Sequence, residues 1–147
     1  MPRTDKLILL GDFNARVGRD HRAWAGILGP HGVGNENSNG TLLLTTCAQH
    51  ELVIINTVFQ QADKRNTTWV HPRSGHWHLI DYVIVRKRDR AAVMITRAMR
   101  GATMWSDHRL IKSKMKVALK QPKRRQTQTS IRELNVALCK TTLCASD

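Results

Sequence analysis

The clearest strand in the chain is the stretch His78-Leu79-Ile80-Asp81-Tyr82-Val83-Ile84-Val85. Aromatic and β-branched residues fill most of it, and this composition favours a buried β-strand. Asp81 interrupts the apolar run, and burial of a carboxylate costs free energy unless the carboxylate has a partner. We therefore expect a basic partner for Asp81, either a histidine or an arginine on a neighbouring strand. The alternative is an edge strand on which Asp81 faces water.

Further strands are predicted on both sides of this one. Leu7–Leu10 and Leu52–Asn56 are short, continuous apolar runs, which are typical of buried strands. In Arg109–Leu119 apolar residues alternate with lysines, and this period of two indicates a half-buried strand with a lysine face. Shorter strands are predicted at Thr67–His71 and Met94–Met99.

A helix is predicted at Thr41–His50, with Ser38 or Asn39 as its N-cap. The preceding segment, Asp12–Asn39, is rich in Gly, Asn, His and Arg and is predicted to be a long loop. Strands with a helical segment between them indicate an α/β protein with a mixed β-sheet and flanking helices.

The charge of the chain favours a polyanionic partner. Its 147 residues include 24 Lys and Arg against 11 Asp and Glu, a formal net charge of +13. This excess predicts binding to nucleic acid, although basic chains are also simply soluble ones. The segment Arg109–Arg132 contains no acidic residue, so it could track phosphates, or else form a solvated strand face and a tail. Nucleic-acid contacts are predicted for its strand lysines, Lys112, Lys114 and Lys116.

Cysteine usage and the N-terminal residues predict an intracellular protein. The 3 cysteines lack CxxC spacing, which indicates neither a disulfide framework nor a zinc site. A zinc site at His71, His76 and His78 is a weak alternative, because no cysteine or carboxylate pair completes it. No signal-peptide pattern is present and Leu7–Leu10 is too short to span a membrane. We expect a nuclear or cytoplasmic location, not secretion, and no membrane contact.

Two polar clusters could carry chemistry together with Asp81. Asp12 and Asn14 follow a predicted buried strand, and in an extended chain both side chains could share one phosphate or one water. The alternative is a turn, since Asp and Asn favour turns. His108 follows Asp107 just before the last strand, and histidine is the common general acid–base group near neutral pH. Asp107 could bind a metal and a buried Asp81 could orient the imidazole, unless this segment is only a polar turn.

Together the blocks Gly11-Asp12-Phe13-Asn14, Ile80-Asp81-Tyr82 and Ser106-Asp107-His108 resemble the endonuclease/exonuclease/phosphatase superfamily. They occur in the family's order and at about its spacing. Within the superfamily the match is closer to LINE-type retrotransposon endonucleases, because of Asn37-Ser38-Asn39-Gly40 and the stretch from His71 to Val85. The resemblance covers about residues 6–119.

The resemblance implies a fold and an activity. The fold is a four-layer α/β sandwich of two related halves, of which residues 1–119 would be the C-terminal half and therefore incomplete. Residues 120–147 lie beyond the resemblance, and their own pattern predicts a basic linker followed by a short helix from Ser130, where Ser130-Ile131-Arg132-Glu133 matches a capping box. The implied activity is hydrolysis of a phosphodiester in DNA, or alternatively RNA, with Mg²⁺ as cofactor and Mn²⁺ as the alternative ion.

The resemblance also implies roles for individual residues. Asp12 would orient the attacking water, Asn14 would hold that water or the phosphate, and His108 would contact the scissile phosphate. Asp81 would hydrogen-bond His108 and set its tautomer. Asp107 and Asp12 would lie on the metal side. Contacts with the nucleic-acid backbone would be made by Thr68, Ser106, Asn35 and Asn39.

The family's first half carries the glutamate that is its main metal ligand, and the first glutamate of this chain is Glu36, in the loop. We therefore expect an incomplete metal site and very low or no nuclease activity for the chain by itself. Without the second sheet, Leu7–Leu10, Leu52–Asn56 and Val83–Val85 should expose an apolar face. The family's first half and a downstream reverse transcriptase are the expected protein partners. The alternatives are a non-catalytic basic module that binds nucleic acid and a fragment without a selected function.

Overall fold

The structure, a computed structural model, describes residues 5–101 and 106–118. Within them the chain forms short strands and two α-helices, as expected for an α/β protein. Two short 3-10 helices lie at Ile55–Thr57 and Lys87–Ala92. The α-helices and strands are β1 (Ile8–Asp12), α1 (Ser38–Gln49), β2 (Leu52–Ile54), α2 (Asp63–Asn66), β3 (Trp69–Val70), β4 (Trp77–His78), β5 (Asp81–Arg86), β6 (Val93–Met99) and β7 (Leu110–Met115).

The strands of the described residues form three antiparallel sheets. The largest sheet has the order β1-β5-β2, and the other two are the pairs β3-β4 and β6-β7. The predicted mixed sheet is wrong, since parallel pairing in the described residues is confined to the isolated bridge between Leu28 and Ile54. The reason lies in the topology: β5 inserts between β1 and β2 and runs antiparallel to both. The strands that α1 connects, β1 and β2, are therefore parallel to each other but are not adjacent, because β5 lies between them.

The predicted strand His78–Val85 is two strands in two different sheets. Its first part belongs to β4, which pairs with β3, whereas β5 begins at Asp81 and pairs with β1 and β2. The chain changes sheets at Leu79 and Ile80, which are both buried. The hydroxyl of Tyr82 secures this bend, because it lies 2.8 Å from the carbonyl oxygen of Leu79 and 3.0 Å from that of Ala15.

Helix α1 begins at Ser38 and its N-cap is Asn37, not Ser38 or Asn39 as predicted. Asn37 Oδ1 accepts hydrogen bonds from the backbone N–H groups of Gly40 at 2.9 Å and Arg16 at 2.8 Å. A Cβ at Gly40 would lie 1.8 Å from the carbonyl oxygen of Arg16, so only glycine permits this close approach. The helix N-terminus is thereby fixed against the loop that follows β1.

Apolar side chains cover both faces of β2 and β5. One cluster, which includes Leu44 of α1, Ile54 and Ile84, lies on the helix side. On the other face Val53, Ile55, Val83, Val85 and Val93 pack together, with Ile111 and Met115 of β7 against them. The expected exposure of Leu52–Asn56 and Val83–Val85 is therefore wrong, because the β6-β7 pair covers this face.

Strand β1 differs from its neighbours because it is an exposed edge strand. The strand predicted at Leu7–Leu10 is confirmed in shifted form. Its predicted burial is wrong, because Ile8 is 40% and Leu10 68% exposed, and the apolar face that was expected to be exposed is confirmed. A groove of about 1030 Å³ runs between β1 and β7. Its apolar lining comes from Ile8, Leu10, Val83, Met99, Leu110, Ile111 and Met115.

The remaining strand predictions are confirmed in shorter or slightly shifted form. β6 begins one residue before the predicted Met94–Met99, and the predicted Thr67–His71 forms only the two-residue β3. In β7, Ile111, Ser113 and Met115 are half-buried, as the alternation predicted. The predicted linker and the helix from Ser130 lie outside the described residues. None of the helices in the described part of the chain has the length and apolar character needed to cross a bilayer.

Candidate active site

The predicted basic partner of Asp81 is His108. Asp81 Oδ2 lies 3.0 Å from His108 Nδ1, and the two side chains are 18% and 29% exposed. The alternative of an edge strand is wrong, because β5 is the central strand of its sheet. An ionised carboxylate only accepts hydrogen bonds, so this contact places the proton of a neutral His108 on Nδ1 and leaves Nε2 as the free nitrogen.

The strand register brings Asp12 to the same place. Asp12, the last residue of β1, pairs directly with Asp81. Oδ2 of Asp12 lies 4.0 Å from Nε2 of His108, so the imidazole lies between two carboxylates. Atoms of Asp12, Asp81 and His108 all lie within 4.8 Å of one another.

Asn14 does not continue the strand. Its backbone φ of 47° is left-handed, and its N–H donates to Asp12 Oδ1 at 2.8 Å. Asn39 Nδ2 donates to the carbonyl oxygen of Asn14 at 3.0 Å. The predicted turn is therefore confirmed and the extended conformation is wrong. Asn39 holds Asn14 in place from the first turn of α1.

The segment around His108 forms an additional strand-like contact with β3. Trp69 and His108 make an antiparallel bridge, and the Arg109 N–H donates to the carbonyl oxygen of Thr68 at 2.6 Å. The indole Nε1–H of Trp69 donates to Asp107 Oδ2 at 2.6 Å, and this hydrogen bond lowers the pKa of the Asp107 carboxyl. Ser106 Oγ accepts the His108 N–H at 3.1 Å. These contacts fix the backbone on both sides of the imidazole.

Arg109 ties the β3-β4 hairpin to this segment. Its guanidinium carbon lies 3.3 Å from the centroid of the Trp77 ring, a cation–π contact. Nη1 of Arg109 also donates to the carbonyl oxygen of Lys64 at 2.9 Å and reaches Oγ1 of Thr67 at 3.2 Å. The hairpin is thus held beside His108 from two directions.

Two buried polar side chains position Asp81. Thr68 Oγ1 accepts the N–H groups of Ile80 at 3.2 Å and Asp81 at 3.3 Å. Asn56 Nδ2 donates to the Asp81 carbonyl oxygen at 3.3 Å, and its Oδ1 accepts the Val83 N–H at 2.7 Å. Thr68 is 0% exposed, so its hydroxyl is not placed for the predicted contact with DNA. Sequence reasoning missed Asn56, although a polar residue at the end of an apolar strand was a signal.

The carboxylates at this site could hold a divalent cation. Among the described residues, the converging group of metal-binding side chains is Asp12, Asp81 and His108. Asp107, predicted beside Asp12 on the metal side, is not in this group, although its Oδ1 lies 4.0 Å from His108 Nε2. One or two carboxylate ligands suit a Mg²⁺ ion that retains several waters.

The other predicted residues lie at the surface. Lys112, Lys114 and Lys116 are exposed, on or next to β7, which starts two residues after His108. Ser106, Asn35 and Asn39 are also exposed. The three histidines of the alternative zinc site do not converge as a metal-binding group in the described part of the chain.

Comparison with known proteins agrees with this geometry. Residues 1–112 match the family described as endonuclease-reverse transcriptase. Over 119 residues the chain is 40% identical to Craniofacial development protein 2 of Bos taurus and of Tragulus javanicus. The match covers 81% of this chain and 20% of each relative, so the chain spans about a fifth of their length. The chain belongs to the endonuclease-reverse transcriptase family, within the endonuclease/exonuclease/phosphatase superfamily.

Proposed function

We propose that the chain supplies the histidine-bearing part of a Mg²⁺-dependent endonuclease site of the LINE type, which hydrolyses a phosphodiester in DNA. The observation that supports this most is the convergence of Asp12, Asp81 and His108 at one end of the open groove. Family membership supports a nuclease, and the charge of +13 supports a nucleic-acid substrate.

His108 would bind the scissile phosphate. Asp81 accepts the Nδ1–H and orients the ring, and in the protonated ring Nε2–H would donate to a phosphate oxygen. This donor offsets the negative charge that grows on the phosphate in the transition state. Asp81 acts on the phosphate only through His108, so it is a positioning residue.

Asp12 would orient the attacking water. Its Oδ1 is engaged by the Asn14 N–H, whereas Oδ2 lies toward His108 Nε2, where a phosphate would be bound. The water oxygen forms the new bond to phosphorus, its proton passes to Asp12, and the bond to the leaving oxygen breaks. Solvent then protonates that oxygen. A Mg²⁺ ion held by Asp12, with Asp107 at its side, would add positive charge next to the phosphate.

The groove beside the catalytic cluster is open, and a second protein surface is needed to close it. The groove between β1 and β7 exposes apolar residues such as Leu10 and Leu110 right up to the catalytic cluster. We propose that the family's first half fills this groove and adds the glutamate that is the main metal ligand. By itself the chain would then cleave DNA weakly or not at all, since Mg²⁺ requires near-octahedral oxygen coordination.

Plasmid nicking in the presence of Mg²⁺ tests this function. We expect weak or no nicking by the chain alone, and Mg²⁺-dependent nicking after the family's first half is added. Asp12→Ala and His108→Ala should each abolish the reconstituted activity. Robust nicking by the chain alone would show that the site is complete, and activity that survives both substitutions would exclude this cluster.

A basic module that binds nucleic acid without cleaving it is the second candidate. The exposed lysine face, Lys112, Lys114 and Lys116, favours it. Such a module predicts DNA binding that weakens steeply with salt and is lost when these lysines are replaced by glutamine. Reconstituted nicking would distinguish the endonuclease from this module. A chain that lacks a cooperative unfolding transition would instead indicate a fragment without a selected function.

A further inference from the structure

A second cleft lies beside the catalytic cluster and has a basic lining. Its volume is about 410 Å³, and it is lined by Asn14, Arg16, Asn37, Trp69, His71, His78 and Ile80. None of these side chains is acidic, and three of them can carry positive charge. Side-chain amides complete the polar lining, whereas the indole Nε1–H of Trp69 is already donated to Asp107 Oδ2. The donors of this cleft therefore suit an anion.

The electrostatics of His78 show the same excess of positive groups. Partial burial lowers the pKa of His78, and the charges of Arg16, His71 and His76 lower it further. No carboxylate contributes to this shift. An anion in the cleft would relieve the repulsion and favour protonation of His78. Binding of an anion should therefore be accompanied by uptake of a proton.

Aromatic contacts join the cleft to the catalytic histidine. The Trp69 ring stacks on His78 with centroids 5.9 Å apart, and it meets His71 edge-on at 5.5 Å. The same indole lies 6.3 Å from the His108 ring. Nδ1 of His71 accepts the Ser74 N–H at 3.3 Å, which leaves Nε2–H as a donor. Asn14 belongs to both the cleft and the turn that positions Asp12.

We infer that this cleft binds a backbone phosphate of the nucleic acid strand, next to the phosphate that His108 contacts. The inference rests on the proposed function, because it assumes that the scissile phosphate lies at His108. Arg16 would provide a permanent charge, and His71 and His78 would provide hydrogen-bond donors that strengthen when His78 is protonated. The cleft would thus set the path of the strand on the side of Asn14.

DNA binding as a function of pH tests the inference. The anisotropy of a labelled duplex would be followed without Mg²⁺ in the His108→Gln background, in which residue 108 has no ionisable side chain. Between about pH 7.5 and about pH 6, on either side of the usual histidine pKa, we expect the affinity to rise about tenfold. Adding His71→Gln and His78→Gln should remove most of this rise. Adding Arg16→Gln should weaken binding at both pH values.

His50→Gln is the matched control. His50 is exposed at the far end of α1, roughly 20 Å along the helix from Asn37, so its substitution should leave the pH dependence unchanged. Circular dichroism shows whether each variant folds. If the double histidine variant does not fold, the effect of Arg16→Gln on duplex affinity tests the inference by itself. Affinities that are unchanged in these variants overturn the inference. Competition by inorganic phosphate without any effect of the variants on duplex binding overturns it as well, because the cleft would then take free phosphate only.

The two proposals fail in different experiments. If the histidine variants lose pH-dependent binding but reconstituted wild-type chain never nicks a plasmid, the cleft binds a phosphate and the proposed function is wrong. If nicking is present and depends on His108 while the variants bind DNA like wild type, the proposed function holds and the cleft inference is wrong.

Discussion

Asp81 Oδ2 and His108 Nδ1 are 3.0 Å apart, although the two residues lie in different sheet regions and 27 positions apart in the chain. Asp81 is held by the central strand β5, and His108 by its bridge to Trp69 of β3. The contact therefore depends on both strands. Because Nδ1 is bound to Asp81, it is Nε2 of His108 that faces Asp12.

The Asp81–His108 contact predicts the tautomer of His108. Neutral His108 should carry its proton on Nδ1, because the Asp81 carboxylate accepts a hydrogen bond there. In Asp81→Asn the amide can donate to Nδ1, so the population should move toward the Nε2–H tautomer. Nitrogen chemical shifts of the imidazole in NMR spectra report this change. Asp5→Asn, an exposed change far from the imidazole in the chain, is the control, and a tautomer that does not respond to Asp81→Asn would contradict the assigned role.

Thr68→Val should destabilise the protein more than Thr68→Ser. Valine has the shape of threonine but leaves the N–H groups of Ile80 and Asp81 without their buried acceptor, at a cost of about 2 kcal/mol. Serine keeps the hydroxyl and loses one methyl group, which costs about 1 kcal/mol. Urea unfolding measures both free energies. The reverse order would mean that the methyl contact and not the hydroxyl maintains this site.

Gly40→Ala should destabilise the fold, although alanine normally stabilises a helix over glycine by about 1 kcal/mol. The added Cβ would meet the carbonyl oxygen of Arg16, so the start of α1 must move away. Thr45→Ala, an exposed change in the same helix, should be neutral or stabilising. Thermal unfolding of the two variants compares them directly. A stabilised Gly40→Ala protein would contradict the close contact between α1 and the carbonyl oxygen of Arg16.

Trp69→Phe should raise the pKa of Asp107. The indole hydrogen bond is the main cause that holds this pKa below its ordinary value, and phenylalanine cannot donate it. Because the folded pKa is depressed, the associated stability is present above the unfolded value of about 3.9 and is lost as the pH falls through the folded pKa. NMR titration of the Asp107 carboxyl carbon measures the shift. Trp77→Phe should leave the pKa unchanged, and an unaltered value in Trp69→Phe would refute the contact.

Lowering the pH should weaken the wild-type fold through His78. Its pKa is lowered in the folded protein, so the unfolded chain takes up a proton first. Stability that is present at neutral pH is therefore lost as the pH falls below the unfolded value of about 6.5. Melting temperatures at about pH 7.5 and about pH 5.5 should differ less in His78→Gln than in wild type. Equal differences would mean that other groups account for the whole loss.

The sequence was sufficient to predict the positions of most strands and a basic partner for Asp81, for a physical reason. A carboxylate in an apolar strand requires compensation, so its burial predicted a histidine or an arginine nearby, and the structure shows that this partner is His108. It was insufficient for the break between β4 and β5, because Leu79 and Ile80 are as apolar as their neighbours. Local patterns contain no signal for a sheet change that is fixed by distant contacts.

The support that Thr68 gives to the site was likewise beyond prediction from the sequence. The hydroxyl of Thr68 serves two N–H groups that become its neighbours only after folding. The same holds for the insertion of β5 between β1 and β2, which made the predicted mixed sheet wrong, and for the covering of Val83 and Val85 by β7. Each depends on topology and not on the periodicity of one segment.

Reconstituted plasmid nicking tests the central claim most directly. The wild-type chain and the His108→Ala chain would each be mixed with the family's first half and with Mg²⁺, and the relaxed circles counted over time. We expect nicking by the wild-type mixture, little or none by the chain alone, and none by the His108→Ala mixture. Equal nicking by the wild-type and His108→Ala mixtures would contradict the claim that Asp12, Asp81 and His108 form part of a nuclease site.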